Sequence, residues 1–209
     1  MTAPILRRAL QLKKKQAHVW ERGEHDWYID PPRASEALFR VEKFEGAIWD
    51  PACGKGNIVL SAISAGCEAV GTDIVDRSPI EPPWFYGEID FLTAFGPSLA
   101  PNIVTNPPFY RAKGAEAFIR KALLFATGKV CAFVDIRFVA GNGRATGLFK
   151  EHPPTRIWVL HPRVSCPPGE YLEAGGKAGN GSSDWCWLVF DLTAPAAHTE
   201  LKWLNVNER

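Results

Sequence analysis

The chain has 209 residues, 46% of them hydrophobic and 22% charged, which suits one domain with a full core. Its longest apolar runs, such as residues 130–134, fall far short of the roughly 20 residues that cross a bilayer, and no signal peptide follows the first basic residues. A cytoplasmic protein with no membrane partner is therefore expected, and a net charge of +1 argues against bulk polyanion binding.

Charge is nevertheless uneven. Residues 1–22 carry Arg7, Arg8, Lys13, Lys14, Lys15 and Arg22 against Glu21 alone. This basic extension reads as a helix that contacts phosphates through Lys13, Lys14 and Lys15, or as an ordinary solvated face. Residues 23–209 form the single expected domain. Pro31-Pro32 forbids a helix through that point, and a short helix is predicted over 34–39. A strand at 47–51 then breaks into Asp50-Pro51-Ala52-Cys53-Gly54-Lys55-Gly56, followed by a helix over 57–65 with Ile58, Val59, Leu60 and Ile63 on its apolar side.

Strands are predicted at 68–73, 86–91 and 102–105, with a proline-bearing loop at 77–86. A helix at 114–125, a strand at 130–136 and a short helix at 144–150 come next. The last two predicted strands are 156–164 and 184–192. Between them lies a glycine-rich stretch, 166–183, with no crossover helix, so the final strand should return antiparallel. Strands alternating with helices indicate an α/β fold with a mostly parallel sheet. The five cysteines are widely spaced and form no CxxC pair, so neither a metal site nor a disulfide framework is expected.

Strand, glycine loop and helix together make a ligand-binding arrangement, because glycine permits close backbone approach and the helix start presents free amides. The loop is no P-loop, since Lys55 precedes Gly56, and no dinucleotide fingerprint, since position 59 is Val. Asp73 ends the next strand 23 residues after Asp50, where an acid can accept from a ribose diol. Asp90 and Phe91 fall where an acid and a ring could frame an adenine. The same residues also suit turn caps and core. Asn106-Pro107-Pro108-Phe109 follows the fourth strand at the same sheet edge. Asn106 and the Pro107 carbonyl can accept from an amine, the two prolines stiffen the backbone, and Phe109 can stack on a base. An Asn cap with a rigid turn and a core Phe is the plainer alternative.

The first of these motifs resembles the DPxxGxG cofactor loop of class I S-adenosylmethionine methyltransferases, and the second resembles the [DNS]-Pro-Pro-[YFW] signature of amino-methyltransferases. The overall order looks closest to the small DNA adenine methyltransferases of phages and prophages. This resemblance implies a Rossmann-like fold with a seven-stranded sheet, mostly parallel, an antiparallel last strand and helices on both faces. It implies that Asp50, Pro51, Ala52, Gly54 and Gly56 surround the methionine portion of S-adenosylmethionine, that Asp73 holds the ribose, and that Asp90 and Phe91 frame the adenine. Tyr28-Ile29-Asp30-Pro31-Pro32 resembles the motif that contacts the methionine end, with Tyr28 as the contact. Thr more often stands where this chain has Asp30, so Asp30 is given no cofactor role.

The implied reaction methylates the exocyclic amine of adenine in DNA, or in RNA, with Asn106, Pro107, Pro108 and Phe109 as the catalytic residues and no metal. Glutamine side-chain methylation and an inactive cofactor-binding module are the alternatives. Residues 110–165 leave no room for a substantial target-recognition domain. Target contacts should then come from loops, from the basic extension, or from Arg163, which could reach a phosphate. The 166–183 stretch is expected to be a binding lid or a passive connection.

Overall fold

Successive side chains of a strand point to opposite faces of a sheet, and in the central strands of this chain both sets are apolar. In β5 (Lys129–Asp135), Val130, Ala132 and Val134 enter one buried cluster while Cys131 and Phe133 enter another. In β7 (Trp185–Asp191), Leu188 and Phe190 face the first cluster, and Trp187 and Val189 the second. A sheet that is apolar on both sides needs helices on both sides. Ala115, Phe118, Ile119 and Ala122 of α3 (Lys113–Phe125) cover the first face. Leu38 of α1 (Pro32–Val41) and Ile58 of α2 (Asn57–Ser64) cover the second.

We describe this architecture from a computed structural model, which covers residues 26–79, 82–110, 113–179, 181, 183–195 and 197–208. The remaining strands are β1 (Ile48–Asp50), β2 (Ala69–Asp73), β3 (Phe85–Glu88), β4 (Asn102–Thr105), β6 (Arg156–His161) and β8 (Glu200–Asn205). They form one eight-stranded sheet in the order β3-β2-β1-β4-β5-β7-β6-β8. Every pairing is parallel except the two that β7 makes, with β5 and with β6. This is the Rossmann-like class I methyltransferase arrangement, with the expected antiparallel return and helices on both faces.

The expectation of seven strands is corrected by β8, which pairs with β6 from Arg156↔Glu200 to His161↔Asn205. Three smaller corrections have local causes. The 144–150 helix is two pieces, α4 (Asn142–Thr146) and α5 (Leu148–Glu151), parted at Gly147. β6 stops at His161, before Pro162, which has no N–H for a ladder. In α2 the polar Ser61 is buried and Leu60 and Ile63 are each 44% exposed, because the helix meets α1 through the 2.9 Å Ser35–Ser61 hydroxyl contact. Among its described residues the 166–183 stretch holds one helix of five residues, α6 (Gly169–Glu173). Among the described residues no helix is long and apolar enough to cross a membrane.

Strand order reverses between β1 and β4, so their following loops diverge and leave a crevice at the carboxyl edge. Both sequence motifs lie there.

Candidate active site

The crevice is a cleft of about 370 Å³. Its walls come from the loops after β1, β2, β3 and β4 and from the 26–30 segment, which crosses above them. Ten of the expected site residues line it: Tyr28, Pro51, Ala52, Gly54, Asp73, Asp90, Phe91, Asn106, Pro107 and Pro108.

The glycine loop is held by its own residues. Asp50 is 1% exposed and accepts from the Ala52 amide at 3.1 Å, so it shapes the turn from behind the cleft wall. Gly54 and Gly56 have φ of +51° and +84°, a region where a Cβ is strained. A Cβ on Gly54 would stand 2.9 Å from the Trp27 indole nitrogen, and one on Gly56 would overlap the Trp84 ring. Gly56 therefore bends the chain into α2 over Trp84 and does not line the cleft.

Asp73 ties this loop to β2. Its Oδ2 accepts from the Gly54 amide at 2.8 Å, and its Oδ1 accepts from Val75 N at 3.2 Å and Arg77 Nη1 at 2.9 Å. A carboxylate oxygen has two lone pairs, so Oδ2 retains capacity for a further donor from the cleft. Asp90 is exposed on the cleft rim, and its Oδ1 caps the following turn through Leu92 N at 3.0 Å. Phe91 is 1% exposed and packs edge-on against Trp49, so it closes the floor from within the core. Asp90 is thus both turn cap and cleft wall, and Phe91 both core and cleft floor.

At the second motif, the Asn106 Nδ2 donates to the Tyr28 carbonyl at 3.2 Å and to Cys166 Sγ at 3.7 Å. These partners are acceptors, so the amide turns its nitrogen to the protein and keeps Oδ1 for another donor. Phe109 does not line the cleft; its ring stands edge-on to Trp185 with centroids 6.0 Å apart. Arg163, expected to reach a phosphate, is paired with Asp184 through Nε at 2.6 Å and Nη2 at 3.2 Å on the surface. Lys13, Lys14 and Lys15 lie outside the described residues.

Several cleft residues were not singled out from the sequence. Trp27 is flanked by two cations, with the Arg77 guanidinium 4.7 Å from its ring centre and Lys55 Nζ at 5.7 Å. Asn57 donates to the Asp30 carbonyl at 2.7 Å, fixing the 26–30 segment to the start of α2. The head of the 166–183 stretch is pinned to the same segment: Ile29 N donates to Pro167 O at 2.9 Å and Gly169 N to Trp27 O at 3.0 Å. The only advance signal was composition, an aromatic and acidic run ending in two prolines.

Three carboxylates share this end of the sheet. Burial, the largest cause, lifts Asp50 well above the usual carboxylate range, and the charges of Asp30 and Asp73 lift it further. Burial likewise raises Asp30 to about 6. Burial raises the Cys53 thiol strongly, which fits a packing residue better than a nucleophile. The site fits S-adenosylmethionine, whose ammonium and sulfonium charges suit an acidic recess. Ala52 and Gly54 would border its methionine portion, Asp73 its ribose, and Asp90 its adenine.

No protein-family model and no curated protein match this sequence. Solved structures do. A protein of Vibrio vulnificus YJ016 assigned as a modification subunit of a type I restriction enzyme superposes with a TM-score of 0.56 at 14% identity, over 87% of this chain and 47% of that one. A protein of Pyrococcus horikoshii assigned as an RNA methyltransferase gives 0.55 at 17% identity, over 76% and 83%. The M protein of the type I restriction enzyme EcoKI gives 0.54 at 12%, over 79% and 44%. The chain thus spans about half the length of the two restriction-type subunits. At these identities the likeness establishes a shared fold.

Proposed function

We propose that this chain transfers a methyl group from S-adenosylmethionine to the exocyclic amine of adenine in DNA. One observation carries the reading: Asn106, Pro107 and Pro108 line the same cleft as the glycine loop, with the nitrogen end of the Asn106 amide committed to protein acceptors. A single recess then joins a cofactor wall to an amine-accepting wall. The cofactor supplies an electrophilic methyl group. The chain supplies orientation. The Asn106 Oδ1 and the Pro107 carbonyl accept the two N–H bonds of the incoming amine, aiming its lone pair and stabilising the positive charge that grows on nitrogen.

A base must leave its stack to enter such a recess. Phe109 is turned to Trp185, so in this reading it supports the Asn-Pro-Pro turn and the base meets other walls; Tyr110 also borders the cleft. Adenine over other amines rests on the Asn and Phe variants of the motif. DNA over RNA rests on the resemblance to small phage-type enzymes. The restriction-type and RNA-type neighbours make both nucleic acids worth testing.

Labelled S-adenosylmethionine incubated with unmethylated duplex DNA, single-stranded DNA, RNA and a release-factor protein, followed by base analysis, tests the reading. Label recovered as N6-methyladenine from DNA is the expected result. Label on protein alone overturns the nucleic-acid assignment, label on RNA alone overturns DNA, and cofactor binding without transfer to any acceptor indicates a binding module.

A further inference from the structure

Two residues other than glycine have a left-handed φ among the described residues, Asp26 at +51° and Tyr110 at +36°. Such backbone is uncommon for a side chain as bulky as Tyr and persists only where the surroundings enforce it. Here the two residues are fastened to each other. The Asp26 carboxylate, 4% exposed, accepts from the Tyr110 amide through Oδ2 at 2.7 Å. This bond joins the 26–30 segment to the residue that directly follows Asn106-Pro107-Pro108-Phe109. A third residue makes room. Gly114, in the first turn of α3, has no left-handed φ to account for it, yet a Cβ there would stand 2.5 Å from Tyr110 Cδ2 and 2.7 Å from the Pro108 carbonyl oxygen. Tyr110 thereby lines the cleft, while Phe109 is turned to Trp185.

The neighbours of Tyr110 mark which half of the cleft it borders. Gly114 and Phe118 are four residues apart and share one face of α3, and the Phe118 ring lies 4.9 Å from that of Phe91, next to Asp90. On the other side Asp26 adjoins Trp27, whose ring meets Arg77, and Arg77 pairs with Asp73. Both routes lead to the residues read as framing the nucleoside. Phe91 closes the floor of that half from the core, and Tyr110, 44% exposed, stands at its rim.

We propose that Tyr110 is a cofactor-binding residue whose ring packs against the adenosine of S-adenosylmethionine, and that Asp26 is a positioning residue that acts through Tyr110. The proposal rests on the reading of the cleft as the S-adenosylmethionine site, with Asp73 at the ribose and Asp90 at the adenine. The physical basis is the contact between an aromatic ring and a nucleoside, which is favourable only when the ring is held in place. The Asp26 carboxylate does that by fixing the backbone from which the ring projects.

Glycine takes a left-handed φ without strain. Tyr110→Gly therefore removes the ring and keeps the backbone, and Asp26→Gly does the same for the carboxylate. Asp26→Asn keeps an acceptor and also tolerates this φ, and Tyr110→Phe keeps the ring. Binding of S-adenosylhomocysteine is measured by calorimetry. Binding of methylthioadenosine, which carries the nucleoside without the amino-acid end, is measured by displacement.

The expected result has Tyr110→Gly weakening both ligands by about 5- to 100-fold, the scale of base–aromatic stacking, with Tyr110→Phe retaining most of the affinity. Asp26→Gly weakens both by about fivefold when Tyr110 is present and has little further effect when Tyr110 is already Gly. Asp26→Asn stays close to wild type. Unchanged affinity in a folded Tyr110→Gly overturns the proposal, as does a loss confined to S-adenosylhomocysteine, which belongs to a ring at the methionine end. A raised KM for nucleic acid with cofactor affinity intact also overturns it, since the ring then serves the substrate. Equal losses from Asp26→Gly in the two backgrounds overturn the positioning role. Those results leave the cofactor reading standing. A wild-type protein that binds neither ligand overturns both.

Discussion

The two ends of the Asn106 amide face different surroundings, and that asymmetry separates binding from transfer. Its nitrogen is committed to Tyr28 and Cys166, while its oxygen is kept for another donor. Asn106→Ala should therefore keep cofactor affinity within about threefold by calorimetry while lowering transfer by 100-fold or more. Abolished cofactor binding in a folded variant would contradict the role. Asp30 carries a second consequence. A carboxyl whose folded pKa is raised from 3.8 to about 6 costs nothing below pH 3.8, where it is protonated in both states, and destabilises the fold increasingly up to pH 6. Asp30→Asn should thus be more stable than wild type by up to about 3 kcal/mol above pH 6, with the gap closing toward pH 4 in denaturant titrations. Asn106, Asp73 and the glycines were legible because motif spacing places them on one sheet edge. The direction of Phe109 was not, since it depends on Trp185, a residue of a strand 76 positions later.

At the scale of elements, the turn from β1 enters α2 through a left-handed residue at the helix N-cap. Gly56 has φ +84° and lies against Trp84, while Gly66, at the other end of the same helix, has φ +85° with open space around it. Alanine at Gly66 should cost about 1 kcal/mol from backbone strain alone. Alanine at Gly56 adds the overlap with Trp84 and should cost roughly 2–3 kcal/mol, with at least a tenfold loss of cofactor affinity because the loop shifts. Equal destabilisation of the two variants would show that Trp84 yields. Strands with two apolar faces, such as β5, were readable from their continuous runs. β8 was not, because only Leu204 among its six residues is buried, and its register is set by backbone pairing to β6. Trp203, 67% exposed, and Leu201, 51% exposed, give it no inward pattern to read.

Across the whole molecule, the end of the sheet opposite the cleft is fastened by an ionic knot. Glu42, just past α1 and 4% exposed, accepts from Arg156 Nε at 2.5 Å, Lys129 Nζ at 2.8 Å and Trp158 Nε1 at 2.9 Å. It thereby joins α1 to β5 and β6, which are neighbours only through β7. Burial by itself would raise its pKa, yet the donors of Arg156, Lys129 and Trp158 outweigh burial and hold it below 4.5. The stabilisation is therefore fully present above pH 4.5 and is lost as pH falls through the lower folded value. Glu42→Gln keeps the shape but leaves Arg156 and Lys129 with Asp191, 3.4 and 3.6 Å away, as their remaining anion, and the lost charge-assisted bonds should cost about 1–3 kcal/mol. Urea denaturation at pH 7 should show that loss, while the difference from wild type should shrink as the pH approaches 3. Because the knot lies at the far end of the sheet from Asn106, methyl transfer below the melting range should be unchanged in Glu42→Gln. A matching fall in transfer rate would mean that the two ends of the sheet are coupled through β5.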